Sequence, residues 1–239
     1  MSKPCEIIIA EDNPRDREFL SNSLSNYSLI LSADSKHALE LALQTPAPYI
    51  ITDLQMPVLN GIELAKLIWQ EKPSARIVFW SHYGDETYIR SLSKIIPDET
   101  VYAYILKDNP SETLNKACHA VFKEDQCWVD KKLRPVQSRS HTSSSAVNDL
   151  EYEVLIDISL GLTDNMIAQR RYLSRRGAQN RLKSLYSKLG VTLDNEKTTE
   201  ALNLRTRAIS IAMRRGLLNN DKLEQEEEFL QKWLKSVKL

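Results

Sequence analysis

Five polar residues, each at the end of an apolar run, could perform chemistry together if the fold brings them to one place. They are Glu11, Asp12, Asp53, Ser81 and Lys107. Parallel strands of an open α/β sheet carry their ligand sites at the carboxyl ends of the strands. Three carboxylates gathered there would repel one another unless a cation joined them, and oxygen ligands with room for water suit Mg²⁺. A carboxylate beside a divalent cation, with an ammonium and a hydroxyl group nearby, is equipped for phosphoryl transfer.

Asp53 is the centre of this set. It follows the strand-like run 49–52 and precedes a tight loop that contains Pro57 and Gly61. A short apolar run of this kind is typical of a buried parallel strand. Taken alone, Asp53 could equally be a solvated residue before a turn, where aspartate is common. The other polar residues at strand ends favour the chemical interpretation.

The elements that must position these residues alternate along the first half of the chain. The predicted strands are residues 5–10, 29–31, 49–52, 77–80 and 101–106. Amphipathic segments separate them, for example a helix from about Leu59 to Lys72. Strand–helix alternation of this kind predicts an α/β doubly wound fold with a five-stranded parallel sheet.

The first 125 residues or so resemble the receiver domain of two-component response regulators, and we predict that this domain spans residues 1–128. The matching residues, in the order in which that family has them, are Glu11, Asp12, Asp53-Leu54-Gln55-Met56-Pro57, Ser81, Tyr104 and Lys107. The combination is far more specific than any one of these motifs. The resemblance implies a partner histidine kinase.

The resemblance also implies a role for each matching residue. Asp53 would accept the phosphoryl group. The Mg²⁺ ligands would be Glu11, Asp12, Asp53 and the main-chain carbonyl of Gln55. Ser81 and Lys107 would contact the phosphoryl oxygens, and Tyr104 would be the aromatic residue that changes rotamer on activation. The chain would then be a phosphoacceptor and not an enzyme, with at most slow self-dephosphorylation.

Composition suggests two modules. The 239 residues include no apolar run of about 18 residues, no signal-peptide pattern and no metal-binding cysteine spacing, so we expect a cytoplasmic protein with reduced thiols and no membrane partner. Residues 1–128 carry 12 Lys and Arg against 18 Asp and Glu, whereas residues 129–239 carry 20 against 14. The asymmetry favours a second module that faces a polyanion, although chance segregation of charge would give the same counts.

The second half begins with a polar, serine-rich stretch, residues 129–147, which predicts a linker. After it come an amphipathic segment that ends before Gly161, a short helix capped by Thr163 and a longer helix capped by Ser174. Short helix, tight turn and longer helix is the helix-turn-helix plan. From Gln169 to Gly190 there are seven Lys and Arg and no acidic residue, a pattern that indicates nucleic-acid binding.

Residues 148–219 are predicted to be a small all-α domain that resembles the LuxR-type helix-turn-helix of the NarL/FixJ family. The residues that carry this resemblance are Leu150, Glu153-Val154-Leu155, Gly161-Leu162-Thr163, Ile167-Ala168, Leu173-Ser174 and Lys188-Leu189-Gly190-Val191. The resemblance implies a transcription regulator that binds double-stranded DNA, with Gln179, Asn180 and Lys183 facing the bases. The full predicted DNA-binding set is Arg175, Arg176, Gln179, Asn180, Arg181, Lys183 and Lys188. Arg170 and Arg171 are expected to contact phosphates.

Departures from the family pattern keep alternatives open. Where the family usually has Thr-Val-Lys at 177–179 and His at 181, this chain has Gly177, Ala178, Gln179 and Arg181. Helix 174–189 could therefore bind a protein in place of DNA, or be merely a solvated basic face. A receiver that works without phosphorylation is a further alternative. The intact set of Asp12, Asp53, Ser81 and Lys107 argues against it.

The last segment, residues 220–239, lies beyond both resemblances. Its apolar residues fall on one face of an amphipathic helix, and they are Leu223, Leu230, Trp233, Leu234 and Val237. A lone helix of this length is marginal in water. We therefore expect it to pack on the same chain or to pair with a second subunit of a homodimer; a frayed tail is the alternative.

Overall fold

A computed structural model of the chain describes residues 6–131, 133, 147–191 and 202–237. Cys5 and most of the predicted linker, residues 129–147, lie outside the described residues. The chain divides into two compact units, an N-terminal and a C-terminal one. The domain boundaries proposed from the sequence stay predictions.

The N-terminal unit alternates strands and helices. Its strands are β1 (Glu6–Ala10), β2 (Ser28–Ser32), β3 (Tyr49–Thr52), β4 (Arg76–Ser81), β5 (Tyr102–Leu106) and β6 (Trp128–Val129). The helices that follow the first five strands are α1 (Pro14–Ser23), α2 (Ser35–Gln44), α3 (Gly61–Glu71), α4 (Glu86–Ser93) and α5 (Ser111–Lys123). All paired strands are parallel, in the order β2-β1-β3-β4-β5-β6. The predicted doubly wound parallel sheet is confirmed.

The sheet has one strand more than the five that were predicted. In β6, Trp128 is in register with Ala103 and Val129 with Tyr104 of β5, and the amide of Asp130 donates to the carbonyl of Tyr104 at 3.0 Å. A two-residue strand carries no periodic signal that a sequence could display. It forms because the chain leaving α5 returns along β5, where it covers an otherwise unpaired strand edge.

Long apolar side chains from both faces of the sheet fill the interior of this unit. Strands β1, β3 and β4 are almost wholly buried, as parallel strands covered by helices must be. The strand order runs from β1 to β2 on one side and to β3 on the other. Such a change of direction opens a crevice at the carboxyl ends of the two central strands, and the acidic residues predicted from the sequence follow β1 and β3.

The C-terminal unit is helical where the structure describes it. Its helices are α6 (Asp149–Ser159), α7 (Asp164–Arg170), α8 (Arg175–Leu189), α9 (Leu204–Arg214) and α10 (Asn220–Ser236). Side chains cap α7 and α8 as predicted: Thr163 accepts from the Met166 amide and Ser174 from the Gly177 amide. Among the described residues, no helix combines the length and apolar character needed to cross a membrane.

Helix α10 is the predicted C-terminal amphipathic helix. Leu230 is buried in the hydrophobic core of the C-terminal unit. Leu223, Trp233 and Leu234 are partly buried and pack against the same core. The expectation that this helix packs on its own chain is confirmed. Packing of this apolar face explains why a helix of marginal intrinsic stability persists.

Candidate functional site

Glu11, Asp12 and Asp53 come together just beyond the carboxyl ends of β1 and β3. One carboxylate oxygen from each residue lies within 4.8 Å of the others. The sheet brings them there, because the amide of Asp53 donates to the carbonyl of Ala10 at 3.1 Å and so continues the pairing of the two strands. Glu11 and Asp53 are buried and Asp12 is exposed, so the cluster opens to solvent on the Asp12 side.

The donor set of this cluster fits Mg²⁺. Burial raises the pKa of Glu11 to about 7, with a further contribution from the charge of Asp53, against the lowering effect of Lys107. A carboxyl group whose pKa is raised in this way gains from a cation beside it. Carboxylate oxygens on a site that is partly open to water suit Mg²⁺, which keeps several of its waters when it binds.

The backbone around Asp53 requires a glycine at position 61. A Cβ atom on Gly61 would lie 2.0 Å from the main-chain oxygen of Asp53, a distance at which the two cannot coexist. The amide of Gly61 donates to the carbonyl of Leu54 at 3.0 Å, and the amide of Leu54 donates to Asp53 Oδ1 at 2.6 Å. One oxygen of the Asp53 carboxylate is thereby fixed, and the loop cannot drift away from α3.

Lys107 is the counter-charge of the cluster. Its side chain is 2% exposed, and its Nζ lies 2.8 Å from Glu11 Oε2 and 3.0 Å from Asp53 Oδ2. Burial lowers the pKa of Lys107, but hydrogen bonds from its ammonium to Asp16 and Glu11 outweigh burial and raise the pKa overall. The group therefore stays positively charged, as its predicted role of binding phosphoryl oxygens would require.

Ser81 and Tyr104 meet at a third residue, Tyr83. The Ser81 side chain is wholly buried, and its Oγ accepts from the Tyr83 amide at 3.4 Å. The hydroxyl of Tyr104, which is also buried, donates to the Tyr83 carbonyl at 2.7 Å. Ser81, the predicted phosphoryl ligand, and Tyr104, the predicted switch residue, are thus hydrogen-bonded to the same short loop.

Asp16 belongs to the site but was not predicted from the sequence, whereas Gln55 was predicted as a metal ligand. Asp16 Oδ2 lies 2.6 Å from Lys107 Nζ. Its only signal in the sequence is that it follows Asp12 by about one helical turn. The side-chain amide of Gln55 donates to the Tyr88 hydroxyl at 3.1 Å, while the role of its carbonyl in metal binding stays a prediction.

Helix α8 presents most of the predicted DNA-binding residues on its outer face. Five are exposed, and they are Arg175, Arg176, Gln179, Asn180 and Lys183. Arg181 is half-buried. Lys188 is also half-buried and donates to the buried Glu151 at 2.8 Å, so part of its charge is used within the unit. The DNA contacts of all seven residues stay predictions.

Arg170 and Arg171, expected to contact phosphates, lie instead in a buried ion-pair network. The side chain of Asp157 is fully buried. It accepts from Arg170 at 2.8 Å and from Arg171 at 2.7 and 2.9 Å. Arg170 also lies 3.3 Å from Glu226 of α10. This arrangement could not be predicted from the sequence, because both arginines belong to one basic run.

Comparisons with known proteins agree with this geometry. Residues 7–119 match the response regulator receiver domain family. The chain is 28% identical over 226 residues to the transcriptional regulatory protein YdfI of Bacillus subtilis (strain 168), covering 90% of this chain and 99% of YdfI. It is 27% identical over 199 residues to the nitrate/nitrite response regulator protein NarL of Escherichia coli (strain K12), covering 78% and 90%. The structure of the two-component response regulator RcsB in complex with DNA has the same fold, with a TM-score of 0.59, 21% identity, and coverage of 88% and 98%.

The parallel sheet, with its acidic cluster, buried serine and lysine at one edge, defines a receiver domain, here followed by a helical unit. Residues 7–119 belong to the response regulator receiver domain family. The chain is also similar to YdfI and NarL over both of its parts.

Proposed function

We propose that a partner histidine kinase phosphorylates Asp53, and that this modification controls the binding of double-stranded DNA by the C-terminal unit. The observation that carries the proposal is the position of Asp53. Its Oδ2 lies 3.0 Å from Lys107 Nζ, beside Glu11 and Asp12. The match of residues 7–119 to the receiver domain family supports the proposal, as does the similarity of the chain to a transcriptional regulatory protein and a response regulator of the NarL/FixJ type.

In the proposed reaction, a carboxylate oxygen of Asp53 attacks the phosphorus of a phosphohistidine. The bond between phosphorus and the histidine nitrogen breaks, and its electron pair stays with the nitrogen, so an acyl phosphate forms on Asp53. Mg²⁺ held by Glu11, Asp12, Asp53 and the Gln55 carbonyl would neutralise charge on the phosphoryl oxygens. Lys107 and Ser81 would bind the remaining oxygens of the transferred group.

The transferred group would change the state of the receiver through Ser81. Its hydroxyl now accepts from the Tyr83 amide, and Tyr104 donates to the same residue. A Ser81 hydroxyl that turns to a phosphoryl oxygen would draw this loop with it and release the partner of Tyr104. The aromatic rotamer change implied by the family resemblance has here a defined hydrogen bond to break.

The exposed face of α8 is the proposed DNA-binding surface. Arginine and lysine on it would neutralise phosphates, while Asn180, Gln179 and Lys183 could reach base edges in the major groove. The comparisons do not favour the alternative in which this helix binds only a protein. A homodimer is proposed because helix-turn-helix regulators read paired half-sites with two-fold symmetry.

We further propose a cytoplasmic location and no enzymatic turnover beyond slow self-dephosphorylation.

Phosphorylation can be tested by incubating the full chain with a small phosphodonor, such as acetyl phosphate, with and without Mg²⁺. Intact-protein mass spectrometry should show one added phosphoryl group in the presence of Mg²⁺ only. Asp53→Asn should abolish the addition.

Asp98→Asn is the matched control, because it removes a carboxylate that is exposed on the same unit. It should be phosphorylated at the wild-type level. If Asp53→Asn were modified as fully as the wild type, Asp53 would not be the acceptor and the proposal would fail.

A further inference from the structure

Lys107 is held by three carboxylates, and the closest of the three is the one that the phosphorylation chemistry does not use. Its Nζ lies 2.6 Å from Asp16 Oδ2, 2.8 Å from Glu11 Oε2 and 3.0 Å from Asp53 Oδ2. An ammonium group has three N–H donors. In this state each donor is taken by one carboxylate.

Helix α1 restrains Lys107 in a second way. The ammonium lies 4.7 Å from the centre of the Trp80 ring, and that ring stacks on Phe19 of α1 with centroids 5.5 Å apart and planes 3° from parallel. Asp16 and Phe19 are both on α1. The same helix thus contacts the lysine directly through Asp16 and supports the aromatic surface against which the lysine rests.

Among the residues that the structure describes, no stronger cation shares the contact with Asp16. The other basic group near Asp16 in that part of the chain is His82, whose Nε2 is 4.0 Å from Asp16 Oδ2 and whose side chain is largely exposed. The Asp16 side chain is 22% exposed and that of Lys107 is 2% exposed. Lys107 is therefore the main partner of Asp16, at a place where water screens the interaction only in part.

We propose that Asp16 is a positioning residue that competes with the phosphoryl group for Lys107 and so limits phosphorylation of Asp53. The inference rests on the proposed phosphorylation of Asp53. A phosphoryl group brings negative charge to the ammonium, and Asp16 already neutralises that ammonium and repels the incoming anion. Removing the charge of Asp16, while keeping its shape, should make Lys107 a better anion ligand.

Asp16→Asn tests this competition in the full chain. Beryllium trifluoride, a non-transferable mimic of the phosphoryl group, should bind the variant about threefold to tenfold more tightly than the wild type at saturating Mg²⁺, as measured by titration calorimetry. The initial rate of phosphorylation by acetyl phosphate should rise in the same sense. Mg²⁺ alone should bind the variant no more tightly than the wild type.

The Mg²⁺ titration separates competition from a merely structural role, because a damaged site would lose affinity for both Mg²⁺ and beryllium trifluoride. Glu18→Gln is the matched control: it removes an exposed carboxylate from the same helix and should leave both affinities unchanged. Tighter anion binding by Asp16→Asn alone supports the inference. Unchanged or weaker anion binding overturns it. If wild-type Asp53 were never phosphorylated, the proposed function itself would fail, and that outcome is distinct from both.

Discussion

Lys107 joins carboxylates that come from three places in the chain, namely the ends of β1 and β3 and the first turn of α1. Glu11, Asp53 and Lys107 could be predicted because each ends an apolar run, and parallel strands bring such ends together. Asp16 could not be predicted, because an acidic residue in the first turn of a helix is usually explained by the helix dipole alone. Its contact with Lys107 depends on how α1 packs on the sheet.

Gly61 gives a prediction for the phosphoacceptor loop. Gly61→Ala places a methyl group where it would overlap the main-chain oxygen of Asp53, so the loop and Asp53 must move. We expect the phosphorylation rate to fall at least tenfold and the free energy of unfolding of the receiver to fall by about 1–3 kcal/mol. Acetyl phosphate labelling and urea denaturation measure the two effects.

The matched control is Gly177→Ala in α8. There the added methyl group would meet the Ser174 hydroxyl at 3.2 Å, and removing a glycine from a helix stabilises it by up to about 1 kcal/mol. This variant should be labelled at the wild-type rate. Normal phosphorylation of Gly61→Ala would show that the close approach to Asp53 does not position the carboxylate.

At the scale of elements, strand β6 and the buried network of α6, α7 and α10 are the two features that sequence reasoning missed. Strand β6 has two residues, so no alternation can reveal it. Asp157 stands inside the apolar pattern of α6, and its partners Arg170 and Arg171 look like surface charges in sequence. The full burial of Asp157 and the partial burial of both arginines arise only from tertiary packing. The long helices and strands, in contrast, follow from periodicity and caps.

The Asp157 network makes a prediction about stability. Asp157→Ala would leave two arginines without their buried partner, and removal of one member of a buried ion pair costs about 3–5 kcal/mol. The temperature at which the C-terminal unit unfolds, measured by calorimetry, should therefore fall markedly. The receiver should keep its phosphorylation rate.

The double variant Asp157→Leu, Arg171→Leu is the informative comparison. Apolar residues of similar size often replace a buried pair with little loss, and Arg170 keeps Glu226 within 3.3 Å. The double variant should thus be more stable than Asp157→Ala. Equal losses in the two variants would mean that the network does not act as an ion pair.

For the whole molecule, a receiver followed by a helical module could be predicted from the sequence. The net charge changes sign between the two modules, and each module has its own motif residues. The sequence could not decide which basic residues serve DNA. The structure separates three exposed basic residues of α8, Arg175, Arg176 and Lys183, from Arg170, Arg171 and Lys188, which have carboxylate partners within the unit.

This separation predicts how single substitutions change DNA binding. Asn180→Ala and Lys183→Ala should each relax the preference at one base pair by about 1–3 kcal/mol, since both side chains are exposed on α8. Lys235→Ala removes an exposed lysine from α10 and should leave sequence preference unchanged. Binding of specific and scrambled DNA at several salt concentrations measures the difference. If both α8 variants kept the wild-type sequence preference, the outer face of α8 would not be the surface that reads DNA sequence.

Control of DNA binding by phosphorylation of Asp53 can be measured in the intact chain. Fluorescence anisotropy would measure affinity for DNA fragments selected by the protein itself, with and without acetyl phosphate and Mg²⁺, for the wild type and for Asp53→Asn. We predict that affinity for DNA rises on phosphodonor treatment in the wild type only. An equal rise in Asp53→Asn, or no response of the fully phosphorylated wild type, would contradict this prediction.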